Sequence, residues 1–545
     1  MTLSRAKPVT FKPRGVSDAI DGTNAADGAM AVLTNLVPAP STASVFVPRA
    51  AAAKAVDFST FDAGATFVSV QFPVGNLIYG MITSGTYSGK DRPFCYDTAA
   101  AAFIAISGVS APVLPASVSS SGDWTPPRMA MISTKIIVCH PGFGGGAESF
   151  GVIDVTNPAA PTWAATNTTV NALVAVPKDV FNFNGRAYYA VGNKAVYSDA
   201  LAPTVVTNAS QALTLGDGTA VTAFGGIPIL ATSTGTVVQN LLAFKGVEAI
   251  FTISGDQATS NLSVTTLNVP TGTLAPNSIA STPLGLAFIA PDGLRMVGLT
   301  GTISDPVGAH GDGVCVPFQS ALYPSRMCAA FNQNTLRVSV QNGASATQDF
   351  QEYWLDFTLK AWSGPHTCPH STISAYTPPA GSNFAGDGFL GGLVGVNGSL
   401  WSSTTIPRQN SSYTENGIDL SWTWRTCLLP DNQVMLENDL NETAAGLVMP
   451  AQQAVTVICA DESGAILGTI YLTGPNLSAS VWGAFVWGGS VWGAQSGWFR
   501  QYALNWSEPL VFKQMTVQFS GASQGGFAIG NLYMRYQVLN YLLQN

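Results

Sequence analysis

The side chains best equipped for chemistry are scarce: four histidines, seven cysteines and eight glutamates in 545 residues. His366-Thr367-Cys368-Pro369-His370 would put three ligands on one face of an extended segment, the donor set of a soft metal. Structural zinc needs a fourth ligand from a second paired motif, and none is present. Pro365 and Pro369 also favour a surface turn there. Cys139 and His140 are adjacent, so on a strand they face opposite sides and make a poor nucleophile–base pair. His310 stands alone.

Gly521-Ala522-Ser523-Gln524-Gly525 fits the G-x-S-x-G nucleophile pattern, which works only on a strand–elbow–helix. The residues after it, Phe527-Ala528-Ile529-Gly530-Asn531-Leu532-Tyr533, suit a strand, so the match reads as a hairpin turn. Gly142-Phe143-Gly144-Gly145-Gly146 lacks the following Lys-Ser/Thr of a phosphate loop. The glutamates are dispersed, with no spacing that proposes a glycosidase pair. No catalytic, cofactor-binding or metal residue is assigned, and the expectation is a protein that is not an enzyme.

The elements that must carry these residues are strands. Helical periodicity is almost absent, and short apolar, β-branched and aromatic runs end in Gly, Asn, Asp or Pro. Paired runs around tight turns recur at Gly75-Asn76, Ser133-Thr134, Asn184-Gly185, Lys245-Gly246, Asp292-Gly293, Gln333-Asn334 and Asn397-Gly398. Their spacings of 58, 51, 61, 47, 41 and 64 residues suit four-stranded propeller blades of ~40–50 residues with variable loops. A second signal follows several of them, an apolar strand ending in Asp and then an aromatic. Asp97 leads to Phe103, Asp154 to Trp163 and Asp356 to Trp362, with Asp199 a weaker copy. The expected fold is an all-β β-propeller of six blades, with seven as the alternative.

Residues 1–62 are Pro-rich and read as an N-terminal arm or clasp, 63–408 as the propeller, and 409–545 as a further β-domain. That last region contains Ser480-Val481-Trp482-Gly483-Ala484-Phe485-Val486-Trp487-Gly488-Gly489-Ser490-Val491-Trp492-Gly493, then Trp498. An odd period cannot hold one face of a strand, so this ribbon presents aromatics on more than one side. Two readings stand: Trp482, Trp487, Trp492 and Trp498 as a subunit or partner interface, or a packing ladder inside the domain.

Charge sets the boundary conditions. Lys, Arg, Asp and Glu make up 10% of the chain, against ~25% in an average soluble domain, while the apolar fraction is an ordinary 46%. Disorder is excluded, since it needs low hydrophobicity and high net charge. A net charge of −8 excludes a reader that neutralises phosphates. The longest clean apolar run, Ala99 to Ile106, falls far short of the ~20 residues of a spanning helix. The N-terminal Met1-Thr2-Leu3-Ser4-Arg5 shows no apolar leader, and the scattered cysteines suit a reduced protein made in the cytosol. Residues 257–291 and 463–499 carry no charged side chain. Charge is depleted in interface cores, so these runs suit burial between subunits; a surface built on Ser and Thr is the other reading.

Three stretches resemble a known family. Gly15-Val16-Ser17-Asp18-Ala19-Ile20-Asp21, Asp27-Gly28-Ala29, Asn35-Leu36-Val37-Pro38-Ala39-Pro40 and Pro48-Arg49 look like the opening of tail nozzle proteins of short-tailed bacteriophages. These are also called tail tubular protein B or packaged-DNA stabilisation proteins. Phe244-Lys245-Gly246, Ile250 to Asp256, Gly272-Thr273-Leu274-Ala275-Pro276-Asn277-Ser278-Ile279 and Pro283 to Arg295 are similar to that group's propeller segment, as are the Trp-Gly repeats. Together they cover about a third of the chain. The resemblance implies a structural virion protein made in the host cytoplasm. It would be a hexameric distal ring that meets a tail adaptor ring and fibres or spikes, and that retains and then releases double-stranded DNA without binding it specifically. No cofactor is implied. The rival expectation is a receptor- or carbohydrate-binding propeller, stacking Trp and Tyr on sugar rings.

Overall fold

The computed structural model describes residues 7–18, 28–39, 44–87, 89–109, 126–143, 149–164, 173, 175–231, 236–256, 261–309, 313–341, 350–367, 369–380, 388–394, 396, 398–405, 412–429, 437–450, 453–474, 500–523 and 525–539. Nearly all of the regular structure is β; the α-helix Val316–Gln319 is one turn long.

The sheets form a closed propeller. Blade 1 starts with inner strand Phe67–Val74, blade 2 with Arg128–Ile132, blade 3 with Val180–Phe183 and blade 4 with Val221–Ala231. Each is an antiparallel sheet of four strands in sequence order. Blade 5 has three strands, beginning at Ala280–Thr282. Blade 7 has inner strand His370–Tyr376, and its outermost strand is Ala53–Asp57 from the N-terminal region. These six sheets stand alone, matching the six blades expected, and the ring has one further position. Between blades 5 and 7 the ring position is taken by Cys328–Asn332, Thr335–Gln341, Phe350–Asp356 and Ala361–His366. This sixth unit is not self-contained, because its outer strand passes into another sheet through Gly364 and Leu33. Neighbouring inner strands pack around the whole ring, from Phe67–Val74 round to His370–Tyr376 and back.

The blade strands are apolar on both faces because each face meets a neighbouring blade. In Lys135–Cys139, Ile136 and Val138 pack towards blade 1 while Ile137 and Cys139 pack towards blade 3. Tyr189 and Tyr188 divide the same way between blades 2 and 4, and Leu241 and Leu242 between blades 3 and 5. A strand buried on both faces reads as a continuous run, whereas one solvated face gives alternation.

The expected turns are largely where the spacing puts them. Gly75-Asn76, Ser133-Thr134, Asn184-Gly185 and Gln333-Asn334 join the first two strands of blades 1, 2, 3 and 6, with positive φ at Gly75, Ser133, Asn184, Gly185, Gln333 and Asn334. Lys245-Gly246 instead joins the second and third strands of blade 4, and the blade 5 turn falls at Pro291-Asp292. The uneven spacing is therefore partly a change of phase within the blade.

The Asp signals are Asx turns. Asp97 accepts from the amides of Ala99 and Ala100, Asp154 from Thr156, and Asp356 from Thr358 and Leu359.

The second body is a two-sheet sandwich completed by the N-terminal region. Ala29–Thr34 pairs with Ser421–Thr426, followed by Met515–Ala522, Ala454–Asp461 and the edge strand Ile466–Thr473. The other sheet centres on Glu437–Val448 and Ala528–Leu539, with Lys7–Phe11 alongside the latter. Trp422, Trp424, Leu33, Phe519 and Leu532 fill one core that continues into blades 5 and 6. Residues 1–62 thus include strands of three sheets, one of them inside the propeller.

Candidate functional site

Ionisable side chains gather in one seam of the ring. Thr335–Gln341 alternates strictly: Leu336, Val338 and Val340 enter the apolar core, while Thr335, Arg337, Ser339 and Gln341 are buried on the opposite side. Arg337 is sandwiched between Trp354 of blade 6 and Phe389 of blade 7, at 3.7 and 3.9 Å from the ring centroids. It donates to Ser403 Oγ at 2.7 Å, and its Nε has no partner. Glu352 accepts from the His370 amide (2.8 Å), pairs with His370 Nδ1 (2.7 Å) and accepts from Trp354 Nε1 (2.6 Å). Burial raises the Glu352 carboxyl, but His370 and Arg337 outweigh it and hold it well below the usual carboxylate range. Burial pushes Arg337 down to about 9, against the pull of Glu352, so it remains cationic at neutral pH. A Cβ at Gly391 would lie 2.8 Å from the His370 ring, so only glycine leaves room for this pair.

A second cluster joins this seam to the sandwich. Arg49 uses all five of its N–H groups: Nε to Asn35 Oδ1, Nη1 to Ala50 O and Glu415 Oε1, Nη2 to Thr367 O and Glu415 Oε2, at 2.9–3.1 Å. Glu415 also accepts from the Ala52 amide at 2.7 Å. The Asn35 amide donates to His366 Nδ1 at 3.0 Å, and His366 Nε2 meets Ser363 Oγ at 3.2 Å. Burial, then the Arg49 charge, holds His366 well below its usual range, so it stays neutral.

The expected surface turn is therefore wrong for this segment. His366 and His370 lie buried in strands, and the Nδ1 atoms of both are engaged, which leaves no ready ligand pair; Cys368 lies outside the described residues. Among the described residues no group of three potential ligands could hold a metal.

The other motifs are structural where they can be seen. His140 Nε2 contacts Asp91 Oδ2 at 3.0 Å and its Nδ1 accepts from the Gly142 amide, which ties blade 2 to blade 1. Cys139 is fully buried, and burial raises its thiol well above the usual range, with Asp179 adding to the effect. Ser523 is buried at the end of the strand Met515–Ala522, and neither histidine nor carboxylate reaches its Oγ. Gly144, Gly145, Gly146 and His310 lie outside the described residues, as do Trp482, Trp487, Trp492 and Trp498.

The ring axis holds a cavity of about 400 Å³, lined by Gln71, Phe72, Arg128, Phe181, Asn182 and Asn277 among others. Arg128 donates from Nε to Asp179 Oδ1 (2.8 Å) and from Nη1 to Asn277 Oδ1 (2.6 Å). Asp179 also accepts from the amides of Val180 and Phe224 (2.8 and 2.7 Å), so one carboxylate links blades 2, 3 and 4. Arg128 itself lines the cavity, its Nε and Nη1 held by these two partners. The cavity's size is that of a small-molecule site, ~300–1,000 Å³.

Sequence reasoning singled out none of Arg128, Asp179, Arg337, Glu352 and Glu415, and met Arg49 only within the resemblance at Pro48-Arg49. The alternation around Arg337 was the available signal: a charged residue in step with Thr and Ser on a strand whose other face is apolar.

No protein-family model matches the chain, and no curated protein matches it. Solved structures overlap it loosely. BBS1N in complex with ARL6DN shares 10% identity over 67% of this chain and 99% of that one, with a TM-score of 0.38. A family 43 glycoside hydrolase, an arabinoxylan arabinofuranohydrolase from Bacillus subtilis, shares 13% over 87% and 96%, with a TM-score of 0.23. The SapL1 lectin in complex with alpha methyl fucoside shares 16% over 55% and 94%, with a TM-score of 0.29. Overlaps this loose carry no functional argument.

Proposed function

We propose that the chain is a structural subunit of a closed ring, the nozzle of a short bacteriophage tail, and has no catalytic role. The observation that carries this reading is the placement of its ionisable groups. Arg49, Arg337, Glu352, Asp91, Asp179 and Glu415 are locked into seams between blades or between propeller and sandwich. The chain has few charges to begin with, so much of the remaining surface is Ser, Thr, Asn and apolar. A subunit built this way resists deformation and offers neighbours a surface that costs less to desolvate than a charged one. The resemblance at Gly15 to Arg49 and Phe244 to Arg295 supplies the identity of the ring.

The DNA path in this reading is the hole between subunits. An axial cavity of about 400 Å³ is far too small to pass a duplex whose major groove alone is ~12 Å wide. Six copies at −8 each give a formal charge of −48, which disfavours adhesion of a polyanion. Negative-stain imaging of the purified chain tests the proposal: hexameric rings with an axial hole support it, and a stable monomer at all concentrations overturns it.

A receptor- or carbohydrate-binding propeller is the second reading, favoured by the cavity itself. Phe72 and Phe181 offer apolar faces, and Arg128, Asn182 and Asn277 offer planar hydrogen-bonding groups. A glycan array followed by Arg128→Ala separates this reading: hits lost in the variant support it.

A further inference from the structure

Exposed sheet edges attract other strands, and proteins guard them by shortness, charge or proline. The described outer strands of this chain follow that rule almost throughout. Ala102–Ile104, Thr162–Ala164 and Ala212–Thr214 are three residues each. Ala53–Asp57 carries Lys54 and Asp57, Gly293–Gly298 carries Arg295, and Arg500–Ala503 begins with Arg500. Lys7–Phe11 and Leu36–Pro38 contain proline.

Two described edges longer than three residues carry neither charge nor proline. Ile466–Thr473, the last strand of its sandwich sheet, has eight residues with no charge and no proline. Ile466 is 65% exposed and Tyr471 79%. Ser263–Thr266, the outer strand of blade 4, is Ser-Val-Thr-Thr, with all four residues exposed. Each lies in one of the two charge-free runs, 463–499 and 257–291. The charge missing from those runs is thus missing where edge guards belong.

We propose that these two edges are the two halves of one contact between copies of this chain: Ile466–Thr473 of one subunit pairs with Ser263–Thr266 of the next. The inference rests on the ring reading above and names its contact surface. A strand edge offers an unpaired row of N–H and C=O groups, so its partner must offer another such row without charge to desolvate. This chain supplies both. Pairing of Ile466–Thr473 with its own copy would give a two-fold dimer and stop there, whereas joining two different edges is the head-to-tail contact from which rings close.

The test uses the full chain and substitutions at exposed positions. Thr265→Cys combined with Thr469→Cys, under mild oxidation, is expected to give a ladder of covalent multimers, with neither single variant doing so. Thr469→Lys with Tyr471→Lys is expected to raise the concentration at which rings half-dissociate at least ten-fold, with the circular dichroism spectrum unchanged. Multimers from Thr469→Cys alone would overturn the proposed partner. Wild-type rings that persist in the lysine variant, without cross-linking of the cysteine pair, would overturn the edge assignment and leave the ring reading intact. A wild-type chain that stays monomeric in mass photometry and does not cross-link would overturn both.

Discussion

Removing the Glu415 carboxylate tests whether the joint between propeller and sandwich is as tight as its geometry implies. The side chains of Arg49 and Glu415 are 4% and 1% exposed, so neither charge has water to fall back on. In Glu415→Ala, Arg49 loses two of its five acceptors and the Ala52 amide loses its own. Orphaned buried donors cost ~1–3 kcal/mol each, and breaking a buried ion pair from one side typically costs ~3–5 kcal/mol in all. We expect a loss near ~4 kcal/mol, on that same scale. The double variant Arg49→Met with Glu415→Met should lose less than the sum of the single losses, because it removes both charges together. The assay is urea denaturation followed by tryptophan fluorescence, with Trp354 about 6.0 Å from the Arg49 guanidinium as a local reporter. Hydrogen exchange at 49–52 and 412–415 should accompany it, because a chain of this size need not unfold in one step. A loss below ~1 kcal/mol for Glu415→Ala, the scale of an exposed pair, would refute the reasoning. So would strict additivity of the two single variants.

Four further outcomes are expected. His366 is held neutral when folded and can take a proton near pH 6.5 when unfolded, so stability should fall as pH drops below that value. The loss from pH 7.5 to 5.5 should be ~1.4 kcal/mol, and His366→Gln should abolish this component; an unchanged slope would show that the His366 site is not sealed. The Glu352 carboxyl, held low in the fold, adds a second loss that begins as pH falls through ~4.3 and continues towards its folded value. The thiols of Cys139, Cys328 and Cys459 are buried with raised pKa values, so a thiol reagent at pH 8 should label them only on unfolding; rapid native labelling would contradict the packing. Changing Trp482, Trp487 and Trp492 together to Ser should weaken assembly by at least ten-fold in concentration, and unaltered rings in mass photometry would remove them from the interface.

What could be read from the sequence was local. Asp97, Asp154 and Asp356 announced their turns because an Asx turn is satisfied within three residues. The hairpins at Ser133 and Asn184 were legible for the same reason. The joint was not: Arg49 and Glu415 are 366 residues apart, and nothing near either one shows that a partner exists. Arg337 lies between these cases. Its strand pattern marks a polar face, but only the ring shows that this face meets blade 7 rather than solvent. The histidine motif misled because Pro365 and Pro369 argue for a turn, while the blade 6 strand ends with His366 and the blade 7 strand starts at His370.

The N-terminal strands also set a schedule. Asn35 hydrogen-bonds to the Ser421 carbonyl, 386 residues later in the chain, and Ala29–Thr34 finds its sheet only when Ser421–Thr426 exists. At ~5–20 residues per second of synthesis, that is a wait of ~20–80 s. During it Met30, Leu33 and Leu36, all fully buried in the finished protein, have no core to enter. Blades 1 to 5 can form as they emerge, but blade 7 closes only when it captures Ala53–Asp57. Until those partners emerge the nascent chain is an open ring with an uncovered apolar N-terminal segment, and the protein's most vulnerable moment comes during its synthesis.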